Sequence, residues 1–142
     1  MKGKVALVTG GTRGIGKAIA LALVEEGCRV VGCARHKIST CYTVIEADCD
    51  LAAEREQVMI ESQALYGGVD ILVNNVGGLG RVLSTSAAAL KEVMERNAYA
   101  AAHFTLMALP YMAGRGWGRV ITIASIYGKE GGGEPWFTMA KA

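Results

Sequence analysis

Short apolar runs alternate along the chain with longer segments of helical period, and each run closes on turn-forming residues. Lys4–Thr9 (KVALVT), Arg29–Ala34 (RVVGCA), Thr43–Ala47, Val69–Asn74 (VDILVN) and Arg119–Ala124 (RVITIA) predict five strands. Their continuous Val/Ile/Leu character, without strict alternation, marks strands buried on both faces. Gly14–Glu26 predicts a helix with Ile15, Ile19 and Leu23 on one apolar stripe, and Leu51–Tyr66 and Ser86–Met112 are also helical in period, the last broken near Asn97. Strands alternating with helices predict an α/β fold with a parallel sheet and right-handed crossovers. Arg35–Cys41 leaves no room for a full helix, so the crossover from the second strand to the third is a bare loop or a single turn.

Length and composition narrow this picture. The chain has 142 residues, one domain's worth, with 51% hydrophobic residues and a formal net charge of +2. High hydrophobicity with low net charge excludes a disordered chain, and there is no whole-chain basic signal for nucleic acid. The apolar runs fall well short of the ~18 residues of a membrane span, and Val5–Val8 is too brief for a signal-peptide core. The expectation is a cytoplasmic protein with no nucleic-acid or membrane partner. Cys28, Cys33, Cys41 and Cys49 form no C-x-x-C pair and have no histidine at zinc-ligand spacing; reduced thiols in or near buried strands, and no metal, are expected. The 19 glycines cluster at 10–16, 77–80, 114–118 and 128–133, each time just past an apolar run.

The first cluster carries chemistry. Strand, Thr9-Gly10-Gly11-Thr12-Arg13-Gly14-Ile15-Gly16 and helix follow in the order a nucleotide site needs. Glycines let the backbone turn and approach a pyrophosphate, and the helix N-terminus offers unpaired N–H groups at the positive end of its dipole. The spacing is G-x-x-x-G-x-G, neither the commonest dinucleotide fingerprint nor a P-loop. After the second strand comes Ala34-Arg35-His36-Lys37, with no acid to bind a ribose 2′-hydroxyl. Arg35 and Arg13 are placed to fork a 2′-phosphate, which predicts NADP(H) in preference to NAD(H).

With Asn74-Asn75-Val76-Gly77 after the fourth strand, Asn97 in the long helix and Ser125 after the fifth strand, the chain resembles the short-chain dehydrogenase/reductase family along its whole length, in its 3-oxoacyl-(acyl carrier protein) reductase-like form. The resemblance implies a Rossmann-type doubly wound sheet of strand order about 3-2-1-4-5, a nicotinamide cofactor and hydride transfer to or from a carbonyl or alcohol. It implies cofactor contacts from Gly10, Thr12, Arg13, Gly14, Ile15, Gly16, Arg35, Asp48, Cys49, Asn75, Val76, Gly77 and Lys141. Asp48 matches the residue that touches the adenine amino group, with Asp50 the competing choice unless it caps the following helix. The two Asn side chains brace the sheet and the glycine turn.

The family's Asn–Ser–Tyr–Lys set maps onto Asn97, Ser125 and Lys141, but Phe137 stands where the Tyr is expected. A phenyl ring has no proton to give, and a positioned acid or base is worth about 10²–10⁴-fold in rate. This leaves open a proton route through water, Ser125 or Lys141, cofactor binding without turnover as a sensor or assembly subunit, or a Tyr→Phe replacement made to trap a complex. Tyr127 is the nearest phenol, but its partner position, Gly131, cannot act as the Lys. His103 reads as a packed or interface residue, Met107 and Met112 as core or subunit contacts, and Trp136 as pocket wall or plug. The resemblance also implies a homo-oligomer, dimer or tetramer, built on the Asn97 helix and the helix near Trp136. Family members continue beyond the helix that Lys141 begins, through a sixth and a seventh strand. Residues 1–142 are therefore expected to form one NAD(P)-binding domain lacking its C-terminal end, with an exposed sheet edge beside the fifth strand.

Overall fold

The structure, a computed structural model, describes residues 1–79 and 86–142. Gly80, the last member of the second glycine cluster, lies outside the described residues. Five strands, β1 (Val5–Thr9), β2 (Arg29–Ala34), β3 (Thr43–Glu46), β4 (Ile71–Asn74) and β5 (Arg119–Thr122), form one parallel sheet of order β3-β2-β1-β4-β5. The helices are α1 (Gly14–Glu25), α2 (Ala52–Tyr66), α3 (Ala87–Met94), α4 (Ala100–Gly114), α5 (Tyr127–Glu130) and α6 (Pro135–Lys141). This is the doubly wound Rossmann-type arrangement. As the short connection requires, no helix forms between β2 and β3.

Both faces of the sheet are covered at β1, β2 and β4, which is why those strands read as unbroken apolar runs; β5 departs from the expectation of burial on both faces, since as the edge strand it has all four residues exposed. Leu7, Val31, Cys33 and Leu72 pack on one face against Val58 of α2 and Phe104, Ala108 and Met112 of α4. Their strand neighbours Ala6, Val8, Val30, Ile71 and Val73 pack on the other against Ala20 and Leu23 of α1. Each fully buried Val, Leu or Ile contributes on the order of 1.5–3 kcal/mol. α1 differs from the sequence expectation at its start: Leu23 is buried and Ile19 packs against the core as expected, but Gly16 and Ala20 complete the buried stripe and Ile15 is 63% exposed. Gly16 has no side chain, so it lets α1 lie against the turn and rotates Ile15 out of the core.

The break near Asn97 is a single π-helical turn, Glu95–Tyr99, joining α3 to α4. One extra residue in the turn directs Asn97 inward, a device frequent at functional sites. β5 lies at the edge of the sheet, and its Val120 and Ile121 are exposed. The four cysteines are free; Cys28, Cys33 and Cys49 are buried, but Cys41 stands exposed on the β2–β3 loop. Among the described residues no helix is long and apolar enough to cross a membrane.

Phe104 is fully buried at the centre of the α4 face. Phe104→Ala is expected to cost about 3–5 kcal/mol, read as a fall in the denaturant midpoint without a large change in slope.

Candidate functional site

The sheet reverses direction of winding between β1 and β4, and the crevice at the carboxyl ends of such a pair is where open α/β sheets bind ligands. Two loops meet there. Thr9, the last residue of β1, is buried; its Oγ1 accepts the N–H groups of Asn75 (2.9 Å) and Val76 (3.0 Å). In return Asn75 Nδ2 donates to the carbonyls of Thr9 (2.9 Å) and Gly10 (3.3 Å). Asn74 turns to the other side and donates to Thr105 Oγ1 (3.1 Å) and Thr122 Oγ1 (3.5 Å), tying α4 and β5 to β4.

The glycine turn is held from three directions. Gly10 and Gly11 donate to the Cys33 carbonyl at 2.8 and 3.3 Å. Tyr42 Oη donates to Gly11 O at 2.5 Å, while its ring closes over Gly32. Gly10 and Gly14 adopt left-handed φ of 65° and 52°. A Cβ on Gly16 would stand 2.3 Å from Gly10 O and 2.4 Å from Asn75 Nδ2, so only glycine brings α1 this close to the turn. Arg13 precedes α1 in extended conformation without a side-chain cap, and the first turn of α1 has no acidic residue. The N-terminal N–H groups of α1 and its positive dipole end therefore face the crevice without a compensating side chain, as a pyrophosphate requires. Thr12 lies half-buried in the turn, while Arg13 and Arg35 are exposed and their guanidiniums make no hydrogen bond or ion pair among the described residues. The residues present fit a dinucleotide.

At the end of β3, Asp48 Oδ1 accepts the Asp50 N–H (3.1 Å), and the Asp48 N–H donates to Glu54 Oε2 (2.5 Å). Asp50 does not cap α2, whose N-cap is Leu51 with no side-chain bond. Its carboxylate instead takes the Arg96 guanidinium in a fork, with Nε–Oδ1 at 3.1 Å and a second bond from Nη2 to Oδ2. A two-bond fork between opposite charges outweighs a single cap bond from one backbone N–H. Cys49 is buried with its Sγ 3.6 Å from Cys33 Sγ; the thiol contact and burial push the Cys49 pKa up.

Arg55 was not signalled by the sequence. Only 3% exposed, it donates to Cys49 O (2.7 Å), Glu95 Oε1 (2.7 Å) and His103 Nδ1 (3.1 Å). Arg55 and Arg96 thus fasten the segment after Asp48 to the π turn that carries Asn97. His103 is accounted for as an acceptor in this network. Tyr42 was missed as well, since a tyrosine in a short loop has no motif around it.

At the other end of the crevice, Asn97 Oδ1 accepts Gly78 N–H (2.9 Å), and its Nδ2 donates to Gly78 O (2.8 Å) and Val93 O (2.9 Å). A Cβ on Gly77 would lie 2.9 Å from Asn97 Oδ1 and 3.1 Å from Lys141 Nζ, so Gly77, Asn97 and Lys141 converge. Lys141 Nζ also donates to Ile123 O (3.2 Å), and burial lowers its pKa. Phe137, one turn before Lys141 on α6, lies edge-on to Tyr127 with centroids 6.1 Å apart, and its ring centre is 6.0 Å from Lys141 Nζ. Ser125 sits on the loop after β5, where its Oγ accepts the Tyr127 N–H at 3.3 Å. It meets Lys141 through the chain: Lys141 bonds the carbonyl two residues before it, and Gly128 packs against the Lys141 carbonyl. Half-buried Trp136 has its Nε1 buried without a partner among the described residues.

Removing the Thr9 hydroxyl tests the junction of the two loops. Thr9→Val leaves two N–H groups without their acceptor, an expected loss of roughly 2 kcal/mol or more in unfolding free energy, with faster amide exchange at Asn75 and Val76.

A family model described as "short chain dehydrogenase" matches residues 4–141. A D-beta-hydroxybutyrate dehydrogenase of Cupriavidus necator is 36% identical over 90% of this chain and 55% of its own length. The 3-oxoacyl-[acyl-carrier-protein] reductase FabG of Escherichia coli K12 is 31% identical over 99% of this chain and 63% of its own. Among solved structures, an NADH-dependent reductase A1-R′ complexed with NAD superposes with TM-score 0.89 at 28% identity, over 99% of this chain and 68% of that one. The chain spans about half the length of the first curated relatives it matches. With the reversal of the sheet, the glycine turn and the Asn97–Lys141 convergence in place, the chain belongs to the short-chain dehydrogenase family.

Proposed function

We propose that the protein binds a nicotinamide dinucleotide across the β1–β4 crevice, prefers NADP(H) to NAD(H), and serves carbonyl reduction or alcohol oxidation with chemistry weakened at Phe137. The observation that carries this is the close approach of α1 to the glycine turn, with its N–H groups open and Gly16 admitting no side chain. The relatives' names, a hydroxybutyrate dehydrogenase and an oxoacyl reductase, support a small substrate with a hydroxyl or oxo group. The bound nicotinamide would supply or accept hydride.

The roles of the chain's own residues follow from position. Gly10, Gly14, Ile15 and Gly16 shape the phosphate cradle with Thr12. Arg13 and Arg35, charged and without partners, receive the 2′-phosphate, and Asp48 takes the adenine amino group. Asn75, Val76 and Gly77 form the wall opposite the cradle. Ser125 orients the substrate oxygen; Lys141, its charge made costly by burial, holds the ribose. Asn97 holds a water that passes protons to Lys141. Exposed Tyr99, Leu106 and Leu109 on the π turn and α4 support a homo-oligomer of two or four copies.

Phe137 favours a second reading, a nucleotide-binding protein without turnover, because it removes the phenol that would exchange the proton. Two measurements decide these points. NADPH is expected to bind about tenfold or more tighter than NADH, with Arg35→Ala erasing most of the difference, as loss of a charged fork implies. Equal affinities that Arg35→Ala leaves unchanged would exclude the preference. Phe137→Tyr is expected to raise NADPH-dependent ketone reduction about 10²–10⁴-fold; no gain in a correctly folded variant that binds NADPH removes Phe137 as the cause of low activity.

A further inference from the structure

A cavity of about 310 Å³ opens at the amino-terminal end of the sheet, the end away from the glycine turn. Lys2, Lys4, Arg29 and Arg115 line it against one carboxylate, Asp70, in a chain whose formal net charge is only +2. Asp70 is 4% exposed, and its Oδ2 accepts the Val5 N–H at 2.9 Å. Its Oδ1 makes no hydrogen bond among the described residues; Lys4 Nζ stands 3.6 Å away and Arg115 Nε 3.9 Å. Arg29 spends one donor, on Gly3 O at 3.3 Å, and lies over the Tyr66 ring, while Arg115 lies over Tyr111. Both guanidiniums are thus held in place by an aromatic face with most of their donors unspent.

Favourable placement near helix C-termini explains Arg115, which caps α4. It does not explain Lys4 and Arg29, which stand just before and at the starts of β1 and β2, or Lys2 on the N-terminal segment. Uncompensated like charges repel unless something offsets them. Their convergence on one concavity, with fixed forks and a surplus of three positive charges over Asp70, matches a multiply charged phosphate. The volume is at the small end of the roughly 300–1,000 Å³ of ligand sites, which suits a mono- or diphosphate and not a dinucleotide.

We propose that this cavity is a second anion site that takes a compact phosphorylated ligand, with Arg29 and Arg115 gripping phosphate oxygens, Lys2 and Lys4 supplying charge, and Asp70 Oδ1 accepting a hydroxyl of the ligand. The test is an amide chemical-shift titration of the protein with pyrophosphate and, separately, with glycerol phosphate, at constant ionic strength set by potassium chloride. Saturating shifts at Gly3, Lys4, Gly67 and Arg115 are expected for at least one probe; the tighter probe tells whether a free diphosphate or a phosphate ester is the ligand type. The double substitution Arg29→Gln and Arg115→Gln is expected to weaken that binding at least about tenfold. Shifts confined to Gly10–Gly16 would place the anion in the glycine turn and overturn the proposal without touching the dinucleotide reading. Non-saturating shifts, or an affinity that the double substitution leaves unchanged, would overturn it too.

Discussion

The hydroxyl of Thr9 holds the site together. It sits where β1 ends and the sheet reverses, and it accepts two N–H groups of the loop that follows β4. Without it, two loops whose bonded residues lie 66 positions apart in sequence would each have to satisfy its own backbone at the edge of the core. With it, the Asn75 side chain is fixed to donate back to Thr9 and Gly10, and the glycine turn can crowd against it. Buried donors and acceptors at such a junction cost free energy whenever one is left over, so the exchange specifies one arrangement of both loops. The cradle for a pyrophosphate is thus made chiefly of backbone, set by glycine geometry and by one hydroxyl and one amide.

A second constraint runs beneath the helices. Arg55 is buried with bonds to a carbonyl, a carboxylate and an imidazole, and Arg96 clasps Asp50 and Glu92. A buried guanidinium is tolerable only when its donors are met, and stranding one partner costs several kcal/mol. The chain meets this requirement by drawing the Cys49–Asp50 segment and the π turn onto the same two arginines. The proposed adenine end and the residue proposed to hold the relay water therefore share a support.

Much of this was legible from the chain. Five apolar runs separated by helical periods dictate a parallel sheet, and the short Arg35–Cys41 connection allows no helix. The glycine spacing marks the turn, and the break at Asn97 is visible as a fault in helical period. What escaped depends on contacts distant in sequence. Ile15 fits the apolar stripe of an isolated helix, yet Gly16 packs against the turn and leaves Ile15 exposed, while Ile19 and Leu23 keep their place against the core. Asp50 has the chemistry of a cap but finds a stronger partner in Arg96, 46 residues away. Arg55 sits in a polar helix that gives no sign of burial, and Tyr42 gains its role from a carbonyl on another loop. Charged side chains report their own chemistry but not which element will meet them.

The division between backbone and side-chain devices also bears on Phe137. Its ring stacks edge-on to Tyr127 and its N–H is capped by Glu134 Oε2 at 2.9 Å, so α6 needs no hydroxyl at this position to form or dock. Lys141, one turn on, still reaches Ile123 O and the Gly77–Asn97 corner. The cradle lies across the crevice and rests on Thr9, Asn75 and Gly16, whose hydrogen bonds and close contacts among the described residues run to one another and to β4, not to α6. A phenyl ring at 137 therefore leaves the support of the glycine turn as it is. The glycine turn and the Asn97–Lys141 corner thus rest on different strands and on different kinds of group.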